Sequence, residues 1–476
     1  MSFDIKIKES KLKVLVTGAS GFIGSRVVSK LLSISSSSYS SSSSHLPDKN
    51  YEILCLTRNK DSLKGRYENY KDGIKIIVAD VNDYSQLVKA MNGVNIAFYL
   101  IHSMEGSSKE WKKFSQRDRI AAENFAKAAT ECGVGRIIYL GGLIHEQSNK
   151  EGYSKLSDHM RSRKEVGDIL RTSSAKVTIF RAAVILGQGG GSFQMLEYLV
   201  KRLPVMVCPK WVLTKSQPIS VDDVVEYLVR SIDVKETEGG DFDIGGTEVL
   251  TYIDMMKRYA KMLNKSIKII IIPFLTPRLS SYWVDLITPV SASLARPLID
   301  SLKHKATVKD DTIKKFIPLK PKTFEEAIKA AEEEEHTRRK TTGHQRTSHS
   351  MNNKLLIISL FAMAAIGSTY YMLDARPEVF QISWLILSTL WYLSIAFSLF
   401  FVFHGTRLGA ITAGAIGWIT LTFWLIDNIY TVSGRSLIAT SPDIAMTLRN
   451  FIGSGIAALV VAASHNVYHK IRVNRI

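Results

Sequence analysis

Cysteine is scarce in this 476-residue chain, where Cys55, Cys132 and Cys208 lie far apart and no CxxC pair occurs. That argues against a disulfide framework and a cysteine zinc site, and for a reducing compartment. Each thiol reads as a small buried hydrophobe rather than a nucleophile, and no metal site is expected. The start of the chain is polar and lacks the apolar core of a secretory signal peptide. Acid is also in deficit, with 44 Asp and Glu against 62 Lys and Arg, a formal charge of +18. Such an excess invites a nucleic-acid reading, but zinc-finger, RNP and basic-zipper signatures are all missing, so no nucleic-acid partner is expected.

Part of the basic excess lies in "HTRRKTTGHQRTSHSMNNK", directly before the first long apolar run. A juxtamembrane segment facing anionic lipid accounts for it. Beyond residue 350 the composition becomes membrane-like: apolar runs at 355–373, 380–403 and 408–426 each approach the roughly 20 residues that a spanning helix needs. A weaker fourth run, 451–464, needs residues from Ile444 onward to span. The chain is too long for one ordinary core. The expected organisation is a globular part over residues 1–320, a charged linker over 321–353 and about four transmembrane helices over 354–476. Lys and Arg collect before the first run, at Arg407 and in the tail "HKIRVNRI". This places the large N-terminal part and the C-terminus on the cytoplasmic side of a cytoplasmic membrane, the bilayer itself being the first partner.

Within the globular part, "KVLVTG", "EILCLTR", "IKIIVAD", "NIAFYLI", "RIIYLGG" and "VTIFRAA" are short, β-branched-rich runs separated by helical patterns. Nearly continuous apolar strands alternating with helices predict an α/β fold, a parallel sheet covered on both faces. The first strand ends in "TGASGFIG", which places Gly18, Ser20, Gly21, Phe22, Ile23 and Gly24 at a strand-to-helix turn. Glycine permits the tight turn, and the helix N-terminus offers free N–H groups to a pyrophosphate. The second strand ends "LTRN". A carboxylate at this point would bind the ribose 2′-hydroxyl of NAD(H), whereas Arg58 can pair with a 2′-phosphate. NADP(H) is therefore the expected cofactor, with NAD(H) as the alternative; the plain structural role for Arg58 is a solvated surface residue. The stretch "SISSSSYSSSSSHLPDKN" cannot bury apolar area, and residues 33–50 are expected to form a disordered insertion at the sheet edge opposite the nucleotide.

Taken together, "TGASGFIG", "LTRN", "VADV", "YLIHSM", "SDHMRSRKEVG", "RAAVILGQGGGSF", "LPVMVCPKWVLTKSQPISVDDV", "LTPRLSSYWVDLITPV" and "ARPLIDSL" resemble the atypical, NmrA-like branch of the short-chain dehydrogenase/reductase superfamily, in particular its YbjT-like group. The resemblance runs from Leu12 to Phe316 and leaves the apolar C-terminal part uncovered. It implies a Rossmann-type doubly wound sheet with a smaller substrate lobe. Asp80 and Val81 of "VADV" and Leu100 of "YLIHSM" join the candidate cofactor site. Extended members of the superfamily carry Tyr-x-x-x-Lys on the helix that corresponds to "SDHMRSRKEVG"; here His159 stands at the tyrosine position and Arg163 at the lysine position. The usual serine or threonine after the fifth strand is replaced by Gly141 and Gly142.

Two readings follow. In the enzymatic one, His159 or His102 supplies a proton and Arg163 holds ribose or phosphate, since imidazole titrates near neutral pH. In the other, the helix only binds cofactor, as in relatives that act as redox sensors or as structural subunits of a membrane complex. The stretch "IKIIIIPFLTPRLSSYWVDLITPV" is apolar enough to be either simple core or a surface for a hydrophobic substrate, an isoprenoid lipid or quinone.

Overall fold

The computed structural model describes residues 11–36, 51–63, 67, 73–102, 111–143, 157–203, 205–272, 284, 290, 292–341, 346–372, 382–404, 406–432 and 444–473. It divides into two compact units, Met1–Ser281 with Ala292–Glu335, and Tyr282–Ser291 with His336–Ile476.

In the first unit the strands are apolar at successive positions. In β1 (Leu12–Thr17), Val14 and Val16 pack into one core and Leu15 into another; in β2 (Tyr51–Thr57), Ile53 and Cys55 oppose Leu54 and Leu56. Successive side chains of a strand point to opposite faces, so such runs need cover on both. With β3 (Ile74–Val78), β4 (Ile96–Tyr99), β5 (Arg136–Gly142), β6 (Lys176–Ala182) and β7 (Asp241–Ile244) they form a seven-stranded sheet in the order β7-β6-β5-β4-β1-β2-β3. Every pairing in it is parallel.

The helices of this unit include α1 (Phe22–Ser36), α2 (Tyr84–Met91), α3 (Trp111–Glu131), α4 (Asp158–Leu170), α5 (Gly191–Arg202), α6 (Val221–Arg230), α7 (Tyr252–Met262) and α8 (Ala292–Leu302). Val27 and Leu31 of α1 and Val224 and Leu228 of α6 cover one face. Leu87 of α2, Phe125 of α3 and Val166 of α4 cover the other. This is the doubly wound arrangement that the sequence predicts. A smaller region beyond β6 includes a parallel pair, Val205–Pro209 with Lys268–Ile272, so the start of the apolar stretch is strand; residues 273–283 and 285–289 lie outside the described residues. All three cysteines are free, with Cys55 and Cys208 buried and Cys132 half-buried.

Two boundaries differ from expectation. Residues 33–36, expected in the disordered insertion, belong to α1, which continues to Ser36; residues 37–50 lie outside the described residues. The stretch expected as a charged linker is helical over much of its length, as α9 (Phe324–Thr341). Its acids meet bases on three other helices: Glu325 with Arg258 at 2.5 Å, Glu332 with Lys201 at 2.8 Å and Glu334 with Arg26 at 2.5 Å. Acid-rich composition reads as solvated until its partners, far away in sequence, are known.

The second unit contains α10 (Arg346–Met372), α11 (Ile382–Phe403), α12 (Arg407–Val432) and α13 (Ile444–Val473). Three segments among the described residues are long and apolar enough to cross a membrane: Ile382–Phe403, Arg407–Tyr430 and Leu448–Tyr468. The first apolar run contributes a shorter apolar helix, Lys354–Thr369. The run that looked weakest qualifies because α13 starts at Ile444 and recruits the residues before it. Ile386, Leu390, Ile419, Ile429 and Ile452 are exposed, the surface expected of helices solvated by lipid tails. Polar side chains turn inward instead. Asn450 donates to Asp427 at 2.6 Å, both fully buried, and Trp391 Nε1 donates to Thr420 at 2.8 Å. Such pairs satisfy groups that lipid cannot.

At the base of β5, the buried Arg136 guanidinium donates to Ser231 O at 2.6 Å and to the hydroxyls of Thr237 at 2.6 Å and Thr178 at 2.9 Å. Arg136→Met keeps the stem but strands these acceptors. It should cost about 3 kcal/mol, read by chemical denaturation of the detergent-solubilised chain.

Candidate active site

The site begins at the glycine turn. Gly18 follows β1 with φ +66°, the left-handed region that glycine enters freely, and a Cβ there would lie 2.8 Å from Leu100 O. A Cβ on Gly24, in the first turn of α1, would lie 2.2 Å from Gly18 O. Both positions therefore require glycine for close backbone approach, and Gly21 N–H donates to Gly18 O at 2.8 Å to close the turn. The cradle opens on the N-terminus of α1, whose first-turn N–H groups suit a pyrophosphate. The residues present fit a dinucleotide on these grounds.

A cavity of about 770 Å³ opens beside this turn. Gly21, Phe22, Ile23, Leu100, His102, His159 and Arg163 line it, so seven of the candidate positions share one wall. Gly18 and Gly24 shape the turn from behind. Arg58 is exposed directly after β2 and Asp80 and Val81 follow β3, all outside the cavity lining. Asp80 is held in its own turn, where Oδ1 accepts from Asn82 N–H at 2.9 Å.

Ser157 caps α4 by accepting from Met160 N–H at 3.3 Å, and the first turn after it presents His159. His102 follows β4. The two imidazoles meet, His102 Nε2 lying 3.0 Å from His159 Nδ1. On its other side, His102 Nδ1 lies 3.0 Å from Asp118 Oδ2 on α3. This chain fixes the tautomers of the neutral pair. The carboxylate requires a proton on His102 Nδ1, so His102 Nε2 accepts from His159 Nδ1–H, and His159 Nε2 carries the lone pair. Arg163, one turn further along α4, donates to Leu140 O and lies over the Tyr139 ring at 5.8 Å. The glycine that replaces the usual serine or threonine has a physical counterpart: a Cβ on Gly142 would lie 2.9 Å from Met160 Cε, so the thioether occupies that space.

Sequence reasoning missed Asp118. Its signal is present, because Asp118 precedes Ala121, Ala122 and Phe125 by three, four and seven positions and so shares the buried stripe of α3. A carboxylate on an apolar stripe needs a partner, and only the fold shows that the partner is His102.

Burial pushes both imidazoles below their usual range, His159 furthest, where His102 and Arg163 add to the effect. For His102, the Asp118 carboxylate opposes the shift without overcoming it. Below about pH 6.5 the unfolded chain binds protons here that the folded chain refuses. The resulting contribution to stability is present above that pH and is lost as pH falls. His159→Gln should flatten the acid side of a plot of melting temperature against pH, between about pH 7 and pH 5. An unchanged slope would mean that His159 is protonated in the folded state.

Comparison with known proteins bears on the fold and the family. The photosystem II assembly factor Ycf39 of Cyanophora paradoxa is 24% identical over 267 residues, 55% of this chain and 72% of that protein. The auxiliary protein GraX of Staphylococcus aureus is 28% identical over 145 residues, so the chain spans only 40% of that relative. Among solved structures, the triphenylmethane reductase of Citrobacter sp., complexed with NADP(H), superposes with a TM-score of 0.50 at 16% identity, covering 67% of this chain and all of that one. The NADPH-dependent quinone oxidoreductase QOR2 of Escherichia coli, complexed with NADPH, gives 0.50 at 18% identity, covering 66% of this chain and 98% of its own. These likenesses show the fold. The NmrA-like family model matches residues 10–328, about two thirds of the chain, and the protein belongs to the NmrA-like family.

Proposed function

We propose that the protein is a membrane-anchored, NADP(H)-dependent oxidoreductase acting on a hydrophobic, isoprenoid- or quinone-like substrate. The observation that carries this reading is the hydrogen-bonded chain His159–His102–Asp118 at the wall of the cavity beside the glycine turn. NADP(H), when bound, supplies hydride chemistry. The chain's own residues handle the proton. A proton accepted at His159 Nε2 lets Nδ1–H pass to His102 Nε2, and the His102 Nδ1 proton pass to the Asp118 carboxylate; reduction of a carbonyl runs the same transfers backwards. Both imidazoles start and end neutral, which suits groups whose charged forms burial disfavours.

Arg58, exposed after the second strand, favours a 2′-phosphate and hence NADP(H) over NAD(H). The two solved neighbours with NADPH or NADP(H) support that choice. The basic residues flanking the apolar helices favour a cytoplasmic first unit, and attachment to the bilayer raises its effective concentration toward membrane-resident substrates. A second reading rests on similarity to an assembly factor: an NAD(P)H-binding subunit or sensor without turnover, serving a membrane complex.

Two substitutions test the proposal. Arg58→Ala should weaken NADPH binding by about 1.5–3 kcal/mol while sparing NADH, measured by fluorescence titration; equal losses would remove the 2′-phosphate assignment. His159→Phe should retain NADPH binding yet lower oxidation of NADPH by a short-chain quinone about 100-fold or more. Unaltered turnover would remove the relay, and a cellular phenotype that depends on bound NADPH but ignores His159→Phe would favour the assembly reading.

A further inference from the structure

The cavity wall is chemically lopsided. Its charged side chains are Arg163, Lys305 and Lys309, and its lining includes no aspartate or glutamate among the described residues. The relay carboxylate, Asp118, is not part of that lining and sits on the far side of His102. Much of the rest is apolar, including Leu140, Leu143, Val184, Leu298 and Leu302. A cavity of this composition discriminates against acids at its own wall and leaves cations to face whatever enters.

The two lysines are placed there by a short extended segment after α8. Gln217 N–H donates to Ala306 O at 2.8 Å and Ala306 N–H to Lys215 O at 3.0 Å, while Val308 N–H donates to the Gln217 side chain at 3.0 Å. The segment is thus fastened along its length, and the lysines have fixed roots. Lys303, just before it, pairs with Asp300 at 2.9 Å, whereas the ammonium groups of Lys305 and Lys309 form no ion pair among the described residues; Asp243 accepts from the Lys309 backbone N–H at 3.5 Å. Beside them, Ser216 lines the same cavity and is 6% exposed as a residue, with its hydroxyl oxygen itself buried.

Building on the oxidoreductase reading, we propose that the substrate is an amphiphile with an anionic head, a phosphate or carboxylate, received by Lys305 and Lys309 while its apolar part lies along the leucine-lined wall. Both lysines are exposed, so the anion keeps part of its hydration and the attraction is screened by salt. They belong to the chain after α8 rather than to the glycine turn, which sets them apart from the residues that would meet the dinucleotide phosphates.

The test uses the full chain in non-ionic detergent, saturated with NADPH, and three probes of equal chain length: hexyl phosphate, hexanoate and 1-hexanol. By calorimetry at low salt, at least one of the two anions should bind about tenfold more tightly than hexanol, with the preference shrinking at high salt. Lys305→Gln with Lys309→Gln should remove the preference and leave NADPH affinity unchanged; both positions are exposed, so the variant folds. Equal affinity for all three probes, or a preference that survives the double substitution, overturns the inference and leaves the oxidoreductase reading in place. A parallel loss of NADPH affinity also overturns it, by assigning the lysines to the cofactor. Failure of the unaltered chain to bind NADPH overturns both readings together.

Discussion

One buried hydroxyl holds the centre of the first unit. Thr17 Oγ1 donates to Phe98 O at 2.9 Å and accepts from Leu100 N–H at 3.0 Å, pinning the end of β1 to the end of β4. These two strands flank the point where the strand order reverses, and a crevice opens at such a point in doubly wound sheets. Everything functional hangs from that junction. On one side the chain turns through Gly18 into α1; on the other it runs through Leu100 and Ile101 to His102. The Thr17 hydroxyl thus ties the glycine turn to the segment that leads to His102.

The histidine pair is the second constraint, and it works through direction. Two neutral imidazoles in contact could hold their protons in several arrangements. An anchored carboxylate on α3 leaves one of them favoured. Asp118 thus decides a property of His159 without touching it, and α3, whose sequence looks like ordinary sheet cover, contributes a side chain to the histidine pair.

Much of this was legible beforehand. The glycine turn and the parallel sheet are local patterns, written at strand and helix spacing, whereas the placing of His159 and Arg163 at the Tyr-x-x-x-Lys positions rests on the family resemblance. The pairing of His102 with His159 was not, because 57 residues separate them and only the sheet brings the end of β4 beside α4. Asp118 was hidden because a buried acid in a helix looks like a surface acid until the stripe it shares is noticed. The reach of α9 was misread for a related reason: glutamates that bind arginines and lysines from distant helices look, one at a time, like solvated charge. In the membrane-like part the hydropathy of each run was clear, but its usable length depended on where the helix began, as α13 shows.

The anchored carboxylate behind the histidines also has a thermodynamic consequence for whatever occupies the cavity. In the proposed relay, loading brings a proton to rest on Asp118 and cancels the negative charge nearest the pair, so the surroundings of the cavity become one unit more positive. An anion bound against Lys305 and Lys309, as proposed, would then be held more firmly than before. Linkage makes the effect mutual: the bound anion raises the proton affinity of the relay by the same free energy. Occupancy and protonation thereby become coupled variables, and the fold needs no moving part to connect them.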